Sequence, residues 1–340
     1  MTKVLIIAEA GVNHNGDFDM AKKLVDAAAN AKADYVKFQT FKADKIVSKK
    51  AKKADYQIKN INDNDDSQYA MLKKLELPDE WHYLLSDYAK SKNIKFLSTG
   101  FDVDSIDFLD NLGIEIFKIP SGELTNKPYL VHIAKKNKEI ILSTGMASML
   151  EIREAIDVLI EAGSKKELIS VLHCNTEYPT PMKDVNLKAM NEIAKEFDIK
   201  IGYSDHTLGI EVPIAAVAMG AKIIEKHFTL DRTLSGPDHL ASLEPNELAN
   251  MVKSIRNIEL AISGNGIKEA SESEKKNIEI VRKSLHYNSN LYVGHILKEE
   301  DFLIIRPGTG ISPMRINDYI GKKLLVSVNE NDLLSENHFL

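Results

Sequence analysis

Short β-branched apolar runs alternate with longer stretches of helical apolar spacing through most of the chain. Strands are predicted at Val4 to Ala8, Tyr35 to Phe38, Lys95 to Leu97, Ile114 to Lys118, Glu139 to Leu142, Ile169 to His173, Lys200 to Gly202 and Lys222 to Glu225. Between them lie amphipathic helices such as Met149 to Ala162, where Ile152, Ala155, Ile156, Leu159 and Ile160 share a face and Gly163 supplies the stop. The last helix of the series is predicted over Asn246 to Ile262, with Leu248, Met251, Val252 and Ile255 facing inward. Repeated strand–helix units mean an α/β protein with a parallel sheet, and eight of them predict a (β/α)8 TIM barrel. An open doubly wound sheet is the rival. It lacks a Gly-rich fingerprint after the first strand, because Gly11 and Gly16 only flank Val-Asn-His-Asn.

Two stretches break the alternation. Phe41 to Tyr69 is lysine-rich, then aspartate- and asparagine-rich, with little periodicity, and reads either as a lid or binding loop or as a solvated insertion. Beyond Gly264 a polar, partly helical connector leads to a tail of short strands and turns. The boundaries read as 1–263 for the barrel, 264–281 for a linker and 282–340 for a small C-terminal domain. About 55 residues make a poor free-standing core, so the tail is expected to pack on something larger.

Composition narrows the class further. The 340 residues are 44% hydrophobic and 28% charged. No run approaches the roughly 20 apolar residues needed to cross a bilayer, and Val4 to Ala8 is too short for a secretory signal. A net charge of -6 argues against nucleic acid or an anionic membrane as the partner. Cys174 is the single cysteine, which rules out an internal disulfide and fits a cytoplasmic location.

The polar residues that follow the apolar runs carry the candidate chemistry. His206 and His227 emerge from the ends of successive strands, where imidazoles with open positions between them bind a divalent cation able to polarise a carbonyl. The alternative is a hydrogen-bonded histidine at each strand edge. Lys37 and Lys118, with Thr99, Ser121 and Ser143, look like a cradle for phosphate and carboxylate groups, since a lysine at the end of an apolar strand is costly unless an anion meets it. The alternative is that each lysine pairs with a carboxylate inside the barrel. Glu9, Glu123 and Asp238 offer carboxylates for general acid–base work. His14, His173, Cys174 and Asn175 are weaker candidates, and His173 and Cys174 also fit plain barrel packing.

In this order the motifs EAGVNHNG, VKFQTFKAD, KIPSGE, ILSTGM, HCNTEYPTP, YSDHT, EKHFTLD and SGPDH, then RKSL and RPGTGISP, run nearly end to end. The chain resembles the sialic acid synthases, which condense phosphoenolpyruvate with an N-acylated mannosamine-type sugar. The resemblance implies a C-terminal antifreeze-like domain of β-clip type, exchanged across a homodimer to cap the partner's barrel. It implies manganese or magnesium on His206 and His227, and phosphoenolpyruvate on Lys37, Thr99, Lys118, Ser121, Ser143 and Ser204. Glu9, Gln39, Tyr178 and Asp238 would face the sugar, and Arg306 would reach its N-acyl group from the other subunit. Two departures stand out: Gly100 replaces a usual proline in LSTGF, which is expected to loosen that turn, and VGHILKEED lacks a lysine–glycine turn.

The implied reaction is an aldol-like addition to the open-chain aldehyde, with Glu123 handling the proton of the water that captures C2. N-acetylneuraminate is the expected product. The alternative is N,N'-diacetyllegionaminate from 2,4-diacetamido-2,4,6-trideoxymannose. More remote readings are a metal-dependent aldolase or isomerase, and a non-catalytic sugar-binding protein whose tail is an interaction or ice-binding module.

Overall fold

The computed structural model describes residues 3–61 and 65–339. The strand–helix alternation takes the form of a ring of parallel strands: β1 (Leu5–Gly11), β2 (Tyr35–Thr40), β3 (Lys95–Gly100), β4 (Ile116–Ile119), β5 (Glu139–Ser143), β6 (Ile169–Cys174), β7 (Lys200–Asp205) and β8 (Ile223–His227). Hydrogen bonding runs in the order β3-β2-β1-β8-β7-β6-β5-β4, and β3 and β4 lie side by side to bring the ends together. The fold is thus a (β/α)8 barrel, as the alternation predicts.

The strands are two-faced, and their period of two sets both cores. Outward residues such as Ile6, Ala8, Val36, Phe38, Ile140 and Ile224 pack under the helices. Inward residues Ile7, Tyr35, Leu97, Ile116, Ile141, Leu172 and Ile223 form a separate apolar plug inside the ring. On β7 the corresponding position is Gly202, where an added Cβ would lie 2.3 Å from Ile223 O and 2.5 Å from Leu172 Cδ2. The plug fills the barrel so tightly that this strand contributes no side chain to it.

The helices follow the predicted faces with small differences. Met149–Glu161 opens with a Ser148/Glu151 capping box and buries Ile152, Ala155, Ile156 and Leu159, but Ile160 is 39% exposed, not part of that face. The helix Pro245–Ala261 buries Leu248, Met251, Val252 and Ile255. Phe41 to Tyr69 is not a plain loop. It carries the helices Ala43–Ile46 and Asp55–Ile61 and the start of Gln68–Leu75. Met71 and Leu75 pack with Val12 and Phe41 in a small core. Residues 62–64 of that stretch lie outside the described residues. Gly100 does not loosen its turn: it ends β3 in register with Thr40, and its carbonyl accepts the Tyr129 hydroxyl at 2.5 Å.

Packing divides the chain into Met1–Ser263 and Gly264–Leu340. The second unit holds the helix Glu272–Val281 and an antiparallel pair, β9 (Ser284–Tyr287) with β10 (Phe302–Ile305). The expectation that the tail has little core of its own needs correction. Leu285, Tyr287, Leu291, Leu297, Tyr319, Leu324, Val328 and Leu334 form one. Among the described residues no helix is long and apolar enough to cross a membrane.

Candidate active site

Two residues beyond the apolar plug, each strand changes chemistry on the same inward face. Ile7 is followed by Glu9, Tyr35 by Lys37, Leu97 by Thr99, Ile116 by Lys118, Ile141 by Ser143, Leu172 by Cys174, Gly202 by Ser204 and Ile223 by Glu225. All eight line one cavity of about 700 Å³ at the C-terminal mouth, and the next inward positions, among them Gln39, Thr176, His206 and His227, line it too. A polar floor on an apolar plug is thus written into the period of the strands. At the end of β1 the ladder shifts register between Glu9 and Gly11. Gly11 has φ +54, a conformation that favours glycine, and a Cβ there would lie 3.3 Å from Glu9 Oε1, a tight contact.

The floor is a charge network. Lys37 Nζ donates to Thr99 Oγ1 at 2.8 Å, and lies 2.9 Å from Glu9 Oε2 and 3.5 Å from Glu225 Oε2. Lys118 Nζ donates to Ser143 Oγ at 2.7 Å and lies 3.5 Å from Glu225 Oε1. Ser204 Oγ donates to Glu225 at 3.0 Å. Burial alone would raise the Glu225 carboxyl, but Lys118 and Lys37 outweigh it and hold the group at about 2. Burial pushes Glu9 up to about 7 against the pull of Lys37. For Lys37, Glu225 and Glu9 overcome burial and raise the ammonium above its usual value, whereas burial wins at Lys118 and lowers it. Near neutral pH, then, the two lysines share Glu225 as a firmly ionised carboxylate while Glu9, beside Lys37, is only part ionised.

Of the two alternatives for the lysines, the structure shows the pairing with carboxylates inside the barrel. Each does meet a carboxylate inside the barrel, and Glu225, which sequence reasoning passed over, is the partner common to both. The signal was available in the alternation Ile223, Glu225, His227, which puts Glu225 on the same face as a histidine already singled out. Glu9 Oε2 and Glu225 Oε2 meet only the Lys37 ammonium, whereas the buried His227 Nδ1 has no hydrogen bond. A buried ring nitrogen is rarely left without a partner, so His227 Nδ1 is the atom here open to a ligand.

His206 and His227 have ring centres 5.2 Å apart. His206 Nδ1 makes a close contact with the Asn175 carbonyl, an acceptor, so Nδ1 carries the proton and Nε2 the lone pair. Burial lowers His206 to about 4. His227 falls well below its usual value through burial and then the nearby His206. Asp238 Oδ2 is 3.9 Å from His227 Nδ1, and burial pushes its carboxyl up to about 7. Tyr178 stacks on His206 at 4.0 Å and meets His227 edge-on at 5.5 Å. Two neutral imidazoles with an unpartnered buried nitrogen fit a divalent cation. Among the described residues no group of three or more His, Cys, Asp or Glu side chains forms a full cage. Substrate oxygen and water would have to complete the shell.

The remaining predicted residues are accounted for as follows. Gln39, Ser121, Glu123 and Tyr178 line the same cavity. Gln39 Nε2 lies 3.4 Å from Glu9 Oε1, Ser121 Oγ accepts from Gly145 N at 2.9 Å, and Glu123 Oε2 accepts from Asn126 at 2.6 Å. Cys174 lines it as well, with burial raising its thiol. His173 packs outside the ring on Val185 O. His14 is buried against Phe38, its ring held at about 4 by burial. Arg306 belongs to the second unit, where Nε donates to Val281 O at 3.0 Å.

Glu9 gives a pH test of this network. Its folded value of about 7 stands above the ordinary 4.5, so the native state keeps a proton that the unfolded chain releases, and the stability this contributes is lost progressively as pH rises from about 4.5 to about 7. Against Glu9→Gln, which does not titrate, the native protein should lose up to about 3 kcal/mol across that window. Urea unfolding at a series of pH values reads the difference; a pH-independent gap would contradict the shifted carboxyl.

Comparison with known proteins bears on the same cavity. The NeuB family matches residues 24–268. The chain is 55% identical over 336 residues to the N,N'-diacetyllegionaminic acid synthase of Campylobacter jejuni, covering 99% of this chain and 100% of that one. It is 51% identical over 335 residues to the enzyme of the same name from Legionella pneumophila, covering 98% and 94%. Among solved structures, the N-acetylneuraminic acid synthetase of Leptospira borgpetersenii is similar at TM-score 0.70 and 37% identity, over 82% of this chain and 91% of that one.

Proposed function

The chain belongs to the NeuB family, and on that premise we propose that it condenses phosphoenolpyruvate with 2,4-diacetamido-2,4,6-trideoxymannose to give N,N'-diacetyllegionaminate and phosphate. The observation that carries the choice of sugar is the 55% identity, over nearly the whole chain, to a legionaminic acid synthase. The neuraminate enzyme among the solved structures stands at 37%. N-acetylmannosamine, the sugar first expected, therefore gives way to the diacetamido sugar.

In this reading Lys37 and Lys118 neutralise the phosphate and carboxylate of phosphoenolpyruvate, and Thr99, Ser121, Ser143 and Ser204 orient them. Their support is the floor network, in which both lysines already touch hydroxyls and share a single ionised carboxylate. His206 and His227 hold manganese or magnesium, which when bound polarises the sugar's C1 aldehyde. Glu9, Gln39, Tyr178 and Asp238 face the sugar. C3 of phosphoenolpyruvate attacks C1, whose oxygen gains a proton to become the new hydroxyl; water adds at C2 with Glu123 taking one of its protons, and the tetrahedral product gives up its C2 hydroxyl proton as phosphate leaves by C–O cleavage, forming the 2-keto acid. A preorganised, water-poor site strengthens each of these charge contacts.

A homodimer, with an antifreeze-like tail whose Arg306 reaches the sugar of the other subunit, belongs to the same proposal. Apolar residues exposed on the second unit support a partner surface there, Tyr292 and Met314 among them. The test of the function is a competition assay. Phosphoenolpyruvate, Mn2+ and equal amounts of N-acetylmannosamine and the diacetamido sugar are mixed with the enzyme, and the nonulosonic acids are separated by mass. N,N'-diacetyllegionaminate should dominate; dominance of N-acetylneuraminate would overturn the assignment of the sugar.

A further inference from the structure

The cavity has two chemically different sides. Its floor is the charged ring of strand ends, whereas the connector between β2 and β3 gives it a wall in which Ile46, Val47, Met71, Leu72 and Leu75 form an apolar patch beside the polar Asp55, Gln57 and Gln68. That wall is anchored: Met71 and Leu75 share a core with Val12 and Phe41. It is also tied to the histidine side of the cavity. Tyr56 stacks on Tyr178 at 5.1 Å, and Tyr178 on His206 at 4.0 Å. Asn60 Nδ2 donates to Pro237 O at 2.7 Å and to Tyr178 O at 3.3 Å. The proposed reading puts the reacting aldehyde at the histidines and phosphoenolpyruvate on the lysine floor, which leaves this wall for the far end of an extended six-carbon sugar.

We propose that Ile46, Val47, Met71 and Leu72 read the C6 end of the sugar, admitting a methyl group and disfavouring a hydroxyl. The proposal rests on the reading of the site as a sugar-condensing synthase and adds where its choice of sugar is made. The physical ground is that aliphatic side chains offer no hydrogen bond to a hydroxyl that loses its water on entering, whereas a methyl group has nothing to lose. An apolar pocket of this kind discriminates by about 10- to 100-fold, not absolutely. Val47 and Leu72 are half-buried, which makes them the positions best suited to change without emptying a core.

The test uses the full chain with phosphoenolpyruvate, Mn2+ and two sugars that differ only at C6: 2,4-diacetamido-2,4,6-trideoxymannose and 2,4-diacetamido-2,4-dideoxymannose. The unaltered enzyme should favour the 6-deoxy sugar in kcat/KM by about 10- to 100-fold. Val47→Thr, close to isosteric, and Leu72→Gln should each shrink that ratio by about fivefold or more, through KM for the sugar and with KM for phosphoenolpyruvate unchanged. A starting ratio near one overturns the proposal, and so does an unchanged ratio in Val47→Thr. If the unaltered enzyme releases phosphate with neither sugar, the functional reading itself falls, and the proposal with it.

Discussion

Replacing either His206 or His227 with alanine is expected to abolish condensation, with kcat falling by about three orders of magnitude or more. The reason lies in how little the protein supplies. Two neutral imidazoles are the nitrogen donors at this end of the cavity, and no cage of three or more ligating side chains exists among the described residues to make up for a lost one. Stability should move little by comparison. His227 Nδ1 forms no hydrogen bond that the fold would miss, whereas His206→Ala also gives up the Nδ1 contact with the Asn175 carbonyl and should cost about 1–2 kcal/mol of stability. Chelation by EDTA should reproduce the loss and added Mn2+ should reverse it in the unaltered enzyme only. Full turnover in either variant would remove that histidine from the site.

Lys118→Met should be the next most damaging change. Methionine keeps much of the length of the side chain but removes the charge that meets Glu225 at 3.5 Å and the donor that meets Ser143 at 2.7 Å. If the ammonium serves phosphoenolpyruvate, kcat/KM for that substrate should drop by two to three orders of magnitude, about 3–4 kcal/mol, while KM for the sugar changes far less. If it serves only to neutralise Glu225, the double variant Lys118→Met with Glu225→Gln should recover activity, because no buried charge is then left unpaired. The expectation is no recovery. Lys37 still faces Glu225 in the single variant, so the fold has a remaining partner for the carboxylate.

The starts of the strands were legible in the sequence because the apolar plug and the outer core both need branched side chains there. Their ends were not. The predicted Lys200 to Gly202 runs on to Asp205, and the predicted Lys222 to Glu225 becomes Ile223–His227. The inward face turns polar before the strand stops, at Ser204 one residue short of Asp205 and at Glu225 two short of His227, so the hydrophobic signal ends before the hydrogen bonding does. Glu225 closes the predicted strand yet is not among the predicted site residues, although it meets both lysines of the floor. Lys226 and Asp205, paired at 2.6 Å and fully buried, escaped notice likewise, since outward-facing charges are expected in solvent rather than under helices.

The connector after β2 was read as irregular because its helices are too short to show a period: Ala43–Ile46 has 4 residues and Asp55–Ile61 has 7. The core of the tail was hidden differently. Leu285, Leu291, Leu297 and Leu324 are gathered by turns, and no regular spacing announces them. The histidines, lysines and carboxylates at the barrel mouth were legible because polar side chains at the ends of apolar runs are costly without a purpose.

The central claim is that a cation bound by two imidazoles sits beside a lysine-lined anion floor in one cavity. Crystals of the enzyme grown with Mn2+ and phosphoenolpyruvate, measured near the manganese absorption edge, test it directly. The account predicts an anomalous peak bridging His206 and His227, with the phosphate and carboxylate of phosphoenolpyruvate against Lys37 and Lys118. A manganese peak away from both histidines, or phosphoenolpyruvate bound outside the barrel mouth, would contradict it.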